Sequence, residues 1–399
     1  MKNLKVLFVS GSLGLGHVTR DLAIARELRK KYPKMEIKWL AAHPASLMLE
    51  NAGEELLPEA SDYANENEFA EQSSKGQSLN LLTYLMEAKG AWQQNVNIFA
   101  KIVNSQHFDL VIGDETYEIV LALREQPELK KFPFVMIYDF VGLSSMSANP
   151  MEQLGTYMWN LKWTDDYRKN NSPPYDLGLF VGELNDVPDK SFGFMLPNRK
   201  KFAQAMYKFI GYIIQFDPSE LQAKNTLRKK LGYGTEPLVI ASTGGTSIGK
   251  ELLELCGKAF TIAREKIPAL RMVLVSGPRI KAETVNAPDE VEILPFVPRL
   301  YEHFAACDLA IIQGGATSAM ELTALKKPFI YFPLENHFEQ ANVARILNER
   351  KTGVEMNYSK TTPENLANKI VELTGAEVNY PELPVNGAKK AAEFIATLI

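Results

Sequence analysis

A histidine closes the glycine-rich stretch Gly11-Ser-Leu-Gly14-Leu-Gly16-His17, which follows an apolar run and opens a helix-like segment. Glycines in such a turn let the backbone approach a ligand, and the amides at a helix N-terminus favour anions. An imidazole at that mouth is a candidate general base for taking a proton from a hydroxyl, and it fits a structural hydrogen-bonding role equally well. A second apolar run ends in Val-Ile-Gly-Asp114-Glu115. A carboxylate beside His17 would orient the ring and raise its basicity, so Asp114 is the expected partner. Glu115 is the substitute base if Asp114 points away.

A different chemistry is written between Gln313 and Asn342. The apolar run before it ends in Gln313-Gly-Gly-Ala-Thr-Ser318, and a helix starts there with Glu321 in its first turns. Gly314, Gly315, Ala316, Thr317 and Ser318 can offer amides and hydroxyls to a diphosphate at that helix N-terminus. Glu321 can then accept from both hydroxyls of a ribose, a task that suits a carboxylate. Glu339 and Gln340 follow the next strand and are placed to bond the hydroxyls of a sugar. Gly244-Gly-Thr-Ser-Ile-Gly249-Lys250 imitates a phosphate-binding P-loop, but Glu251 stands where the magnesium-holding Ser or Thr belongs. The first glycine turn is spaced G-x-x-G-x-G rather than G-x-G-x-x-G, and no acidic residue ends the strand before His43, which argues against a dinucleotide site. There is no Asp-x-Asp pair, Asp165 and Asp166 are adjacent in an aromatic stretch, and the histidines lack metal-ligand spacing. No metal is therefore expected, and a leaving diphosphate would be stabilised by fixed dipoles and amides, with Lys250 or Arg279 as assisting cations.

These groups need elements to carry them. Short β-branched runs alternate with helical stretches along the chain, the pattern of α/β domains with parallel sheets. Strands are expected at Val6–Ser10, Ile37–Ala41, Leu110–Gly113, Phe134–Tyr138, Leu238–Ser242, Met272–Ser276, Val291–Leu294, Leu309–Gln313 and Phe329–Phe332. Helices are expected over Val18–Lys31 and from about Gly249, Leu300, Ser318 and Phe338. Each half opens as strand, glycine turn, helix, which predicts two Rossmann-like domains facing a central cleft. The expected division is 1–212 for the first domain, 213–236 for a linker and 237–386 for the second, with a helix at 387–399 packing back on the first. Between Phe140 and Lys200 the periodicity fails and the stretch reads as irregular. It is expected to form part of the acceptor wall; Met146, Met151, Trp159 and Trp163 read first as ordinary packing, with contact to an apolar or lipid-linked acceptor as the alternative.

The 399 residues suffice for two cores, and a net charge of −4 offers no basic excess for nucleic acid. Cys256 and Cys307 sit in apolar patterned segments and read as buried free thiols. The run Val6–Val9 is too short for a signal peptide, and no window approaches the roughly 18 apolar residues of a membrane span. The expected location is the cytoplasm. The cationic runs Arg199-Lys200-Lys201 and Arg228-Lys229-Lys230 read as solvated faces, and they leave open contact with anionic headgroups at the inner face of the membrane.

The stretch from Gln313 to Asn342 resembles the donor-binding region of glycosyltransferase families 1 and 28, in the order and spacing Gly315-Ala-x-x-x-x-Glu321, Pro328, Pro333, Gln340. Gly244, Gly245 and Thr246 resemble that family's donor loop, Phe296 and Val297 the segment that cradles the base, and Gly14 to His17 its N-terminal glycine loop. The resemblance covers Leu238–Lys351 well, the first thirty residues moderately and Phe140–Lys200 poorly. Family 1 enzymes usually carry His where this chain has Gln313, so amides must do more of the diphosphate binding here. The resemblance implies a two-domain GT-B fold and an inverting, metal-independent hexosyltransferase. Its donor would be a nucleotide sugar, UDP-linked by the same resemblance, and its acceptor a small molecule, glycan or lipid. Two rival readings stay open: a nucleotide-sugar 2-epimerase, and a non-catalytic nucleotide-sugar sensor.

Overall fold

A computed structural model of the chain describes residues 3–11, 15–64, 74–75, 78–79, 81–245 and 248–399. The chain divides into two compact units, one built from Met1–Ser73, Asn80–Ile213 and Pro384–Ile399, the other from Ser74–Leu79 and Ile214–Leu383.

The first unit holds a parallel sheet of β1 (Lys5–Val9), β2 (Glu36–Leu40), β3 (Glu55–Leu56), β6 (Leu110–Asp114), β7 (Phe134–Tyr138), β8 (Leu177–Val181) and β9 (Lys208–Gly211). The two short strands skipped in that count, β4 (Ser74–Lys75) and β5 (Ser78–Leu79), pair antiparallel with each other. The sheet order is β3-β2-β1-β6-β7-β8-β9. Its central strands are buried on both faces, which is why they read as unbroken apolar runs rather than alternating ones. The second unit repeats the plan with β10 (Leu238–Ser242), β11 (Arg271–Val275), β12 (Glu292–Leu294), β13 (Leu309–Gln313), β14 (Phe329–Phe332) and β15 (Val354–Glu355) in the order β12-β11-β10-β13-β14-β15. Both sheets run outward in two directions from a first strand. Each therefore has a switch point, between β1 and β6 and between β10 and β13, where open α/β sheets collect ligands at the strands' carboxyl ends.

Residues 214–236, within the expected linker, group with the second unit. Arg228, read as a solvated cation, is buried: it donates to the carbonyls of Ala306, Gly234 and Glu236 and to Asp308 at 2.6 Å. Phe216 stacks on Tyr301 with ring centres 4.7 Å apart. The stretch from Phe140 to Lys200 is not irregular either. It contains helices Pro150–Trp163, Asp165–Lys169 and, from Arg199 to Met206, a third, together with β8. The first of these starts where a good cap says it should, with Asn149 accepting from the Met151 amide at 2.9 Å and Pro150 in the first turn. Its periodicity is hard to see because its inward residues Glu152, Thr156 and Asn160 are polar. Trp159 and Trp163 pack inward, against Trp92 and against Tyr117 and Phe140, whereas Met146 and Met151 are exposed. Arg199 is buried too, and donates to the carbonyls of Val141, Gly142 and Leu143. Both cationic runs thus lose their arginine to structural duty. Cys256 and Cys307 are free and buried, and burial pushes each thiol up to about 12.

Candidate functional site

In the first unit, the helix Gly16–Lys31 leaves β1 and places His17 over the end of β6. His17 Nδ1 lies 3.1 Å from Asp114 Oδ2, and Nε2 lies 3.9 Å from Glu115 Oε2. Gly11 makes this approach possible: a Cβ there would stand 3.0 Å from the Asp114 carbonyl oxygen and 3.3 Å from His17 Nδ1. Glu115 holds a φ of 54°, a left-handed conformation that costs a non-glycine residue roughly 1 kcal/mol or more and persists only where surroundings impose it. Its side chain accepts from the Asp139 amide at 3.3 Å.

Sequence reasoning missed the centre of this cluster. Arg20, one helical turn after His17, donates from Nε to Asp114 Oδ2 at 2.9 Å, from Nη2 to Asp114 Oδ1, and from Nη1 to Asp139 Oδ2 at 2.6 Å. Its Nη2 also lies 2.9 Å from His17 Nδ1. Spacing of three on a helix was the available signal for Arg20; Asp139 stands just past β7, the strand that pairs with β6. Burial pushes the Asp114 carboxyl up, but the Arg20 guanidinium and His17 outweigh it and hold the group below the ordinary range. Asp139 is also held below the ordinary range: burial opposes this, and Arg20 prevails. Asp21 goes the other way. Burial and the Asp114 charge push it well up, against Arg20 and against Ser10, whose hydroxyl donates to Oδ2 at 2.5 Å.

This cluster admits two proton arrangements. With Nδ1–H donating to Asp114, Nε2 keeps its lone pair and can act as a base; with Nδ1 accepting from Arg20, the proton sits on Nε2. Asp114 favours the first, and Arg20, by pinning both oxygens of Asp114, fixes the carboxylate that selects it. Removing Arg20 leaves the buried carboxylate of Asp114 and the half-buried one of Asp139 without their cation. Arg20→Met is expected to lose roughly 3–5 kcal/mol of stability in urea denaturation. Because the folded pKa values of Asp114 and Asp139 are depressed, the stability they supply is full above the ordinary value of 3.8 and lost as pH falls below it. An unchanged urea midpoint in Arg20→Met would show the cluster to be energetically idle.

In the second unit, the predicted donor residues gather along one edge of the sheet, because every strand there is parallel. Gly244 and Gly245 follow β10, Phe296 and Val297 follow β12, Gln313–Ser318 follow β13, and Glu339 and Gln340 follow β14. Thr246 lies outside the described residues, as does Gly14 of the first glycine turn, whereas Gly16 begins the His17 helix. Gly314 allows two loops to meet: a Cβ there would stand 2.9 Å from Pro333 Cα and 3.2 Å from Gln340 Oε1. Gln340 Oε1 accepts from the Leu334 amide at 2.7 Å, so that oxygen shapes the loop after β14. The helix Ala316–Ala324 is capped by Gly315, and Gly315 through Ser318 are exposed or half-buried, with the Gly315 amide donating to the Gln313 carbonyl at 2.6 Å. Glu321 is buried one turn below Thr317, with Gln215 Nε2 at 3.5 Å from Oε1, and burial pushes its carboxyl up to about 8. His337 caps the helix Phe338–Arg350 through Nδ1, and burial pushes it down to about 4, so it is neutral at pH 7. Lys250 pairs with Glu254 on the surface at 3.8 Å. Asp165 and Asp166 are spent on Lys169 and Arg168 and on Arg124.

Known proteins resemble this chain in sequence and in fold. Residues 239–398 match the glycosyltransferase family 28 C-terminal domain. The UDP-N-acetylglucosamine--N-acetylmuramyl-(pentapeptide) pyrophosphoryl-undecaprenol N-acetylglucosamine transferase of Carboxydothermus hydrogenoformans is 28% identical over 180 residues, 43% of this chain and 47% of that protein. The match thus spans about half the length of that relative. An uncharacterized glycosyltransferase of Methanosarcina acetivorans is 25% identical over 92% of this chain and 89% of its own length. Among solved structures, the glycotransferase of kitacinnamycin superposes with a TM-score of 0.64 over 100% of both chains, at 15% identity, a likeness of fold alone. Residues 239–398 thus match the glycosyltransferase family 28 C-terminal domain, and the chain as a whole has the two-domain GT-B glycosyltransferase fold, resembling families 1 and 28.

Proposed function

We propose that the protein transfers a hexose or N-acetylhexosamine from a nucleoside-diphosphate sugar, UDP-linked, to a hydroxyl of a small-molecule, glycan or lipid-linked acceptor, with inversion and without a metal. The observation that carries this reading is the edge after β13, where the exposed or half-buried first turn of the helix Ala316–Ala324 stands one turn above the buried carboxyl of Glu321. The amides and the helix dipole suit a diphosphate, and Glu321 suits the ribose of the same nucleotide. The first unit adds the base: His17 takes the acceptor proton at Nε2, Asp114 holds the ring and balances the imidazolium, and the acceptor oxygen attacks the anomeric carbon as the diphosphate leaves. The name of the Carboxydothermus relative supports UDP-N-acetylglucosamine as the first donor to try.

The test is incubation with UDP-N-acetylglucosamine and other nucleotide sugars against cell-extract acceptors, with mass detection of product and NMR of the new anomeric centre. An inverted anomer is expected, and turnover is expected to survive EDTA within about twofold, since dipoles and amides carry the leaving-group charge. Abolition by EDTA with rescue by Mg²⁺ would overturn the metal-independent part. A sugar altered at C2 with no acceptor consumed would identify an epimerase instead.

A further inference from the structure

The amino ends of β13 and β14 form one side of a cavity in the second unit. Its walls include Cys307 and Asp308, just before β13, and Lys326 and Lys327, just before β14. Lys224, which opens the helix Lys224–Leu231, and Glu377, beyond the helix Pro363–Leu373, complete them. The cavity has a volume of about 340 Å³, within the range of small-ligand sites. The proposed donor edge lies at the opposite, carboxyl ends of the same strands. The five residues of β13, at roughly 3.3 Å each, separate the two places, so the cavity is no part of that edge.

Positive charge is in excess around it. Asp308 is already fully engaged: Oδ1 accepts from Lys224, and Oδ2 accepts from Arg228 at 2.6 Å and from the Leu238 amide at 2.8 Å. Lys327 is half-buried, and its ammonium donates to the Cys307 carbonyl at 3.1 Å, a bond that leaves the charge itself unbalanced. Burial pushes that ammonium down, and Lys224 and Arg228 add to the effect against Asp308. Lys326 is exposed on the wall and pairs with no carboxylate among the described residues. Lys224, Arg228, Lys326 and Lys327 thus stand against two carboxylates, those of Asp308 and Glu377.

The backbone at Lys326 is a second observation. The turn that ends the helix Ala316–Ala324 has the Lys326 amide donating to the Thr323 carbonyl at 3.1 Å and the Lys327 amide to the Leu322 carbonyl at 3.0 Å. Lys326 holds a φ of 51° there, a left-handed position where glycine is unstrained and a lysine is not. Its side chain gives the fold no hydrogen bond or ion pair in return and lines the cavity instead. A concave site with surplus ammonium donors and one half-buried cation lacking a counter-charge matches a compact anion with many acceptor oxygens. We propose that this cavity binds a small, multiply charged phosphate anion through Lys326 and Lys327, with Lys224 beside them. The proposal goes beyond the transfer reaction and does not depend on it.

The test titrates inorganic pyrophosphate into the full chain by calorimetry at low ionic strength, with UDP present in excess so that the proposed donor edge does not answer for the cavity. Binding is expected, and added salt should weaken it. Lys326→Gly is expected to bind about tenfold less tightly, the loss of a charge-assisted contact. Its thermal midpoint should equal or exceed that of the wild type, because glycine relaxes the left-handed turn. Glu377→Gln removes an opposing charge from the wall and should bind about threefold more tightly. Wild-type protein that takes up no pyrophosphate, or two variants that bind it like the wild type, would overturn the proposal. Equal affinity for inorganic sulfate would overturn the assignment to phosphate. UDP that fails to bind counts against the transfer reading instead, and the comparison of Lys326→Gly with the wild type still decides the cavity.

Discussion

Replacing His17 by alanine is expected to lower transfer by roughly 10²–10⁴-fold while leaving nucleotide binding unchanged. The argument rests on where the ring stands. Its Nδ1 faces the buried carboxylate of Asp114 at 3.1 Å, an arrangement that leaves Nε2 as the lone pair available to an acceptor hydroxyl. The proposed nucleotide-binding edge belongs to the other unit, so donor affinity measured by calorimetry should stay at the wild-type value. Asp114→Asn should also lose activity, because an amide can present its oxygen or its nitrogen to Nδ1 and no longer balances an imidazolium. The loss should lie in kcat rather than KM, since the ring does not hold the donor. Wild-type turnover by His17→Ala would remove the base from the mechanism, and Glu115, 3.9 Å from Nε2, would be next to examine.

The second large effect is at Glu321, where stability and binding are expected to move in opposite directions. Glu321→Gln should weaken UDP binding by about one to two orders of magnitude, the worth of charge-assisted bonds from ribose hydroxyls. The same change should stabilise the free protein. Burial raises the folded pKa from 4.5 to about 8. The folded chain therefore keeps a proton that the unfolded chain releases above 4.5, so stability declines as pH rises from there to about 8 and then levels. Glutamine has no such proton, and the variant should gain a few kcal/mol over wild type at the alkaline end of that window. Ribose binding favours the carboxylate, so wild-type affinity for UDP should strengthen as pH rises toward 8, and the variant should show no such trend. Equal calorimetric affinities of the two proteins across this range would sink the ribose assignment. A residue that destabilises the apo fold yet binds ligand is the usual mark of a functional carboxylate.

The strands were legible because each is short, local and buried on both faces. Phe134–Tyr138, Leu238–Ser242, Leu309–Gln313 and Phe329–Phe332 have the same limits in the sequence reading and in the structure. The glycine turns were legible for a similar reason, since a close backbone approach leaves only glycine at positions such as Gly11 and Gly314. β8 and β9 were missed: they lie beside a helix whose buried face is polar, and apolar periodicity cannot announce such a helix.

What the amino-acid order determined by itself was the fold class, two parallel-sheet α/β units, and the turns that end their strands, because these follow from runs of a few neighbouring residues. Tertiary structure alone decided who meets whom. Arg20 reaches Asp139 across 119 positions only because β7 pairs with β6. Arg228 and Arg199, which read as solvent-facing cations, are buried by carbonyls that no local pattern brings near them. Met151, Leu154 and Met158 face outward because the opposite face of their helix is buried, where Glu152 and Asn160 find partners. Local propensity sets the elements, but burial of a polar group depends on partners distant in sequence, and only the assembled fold supplies them.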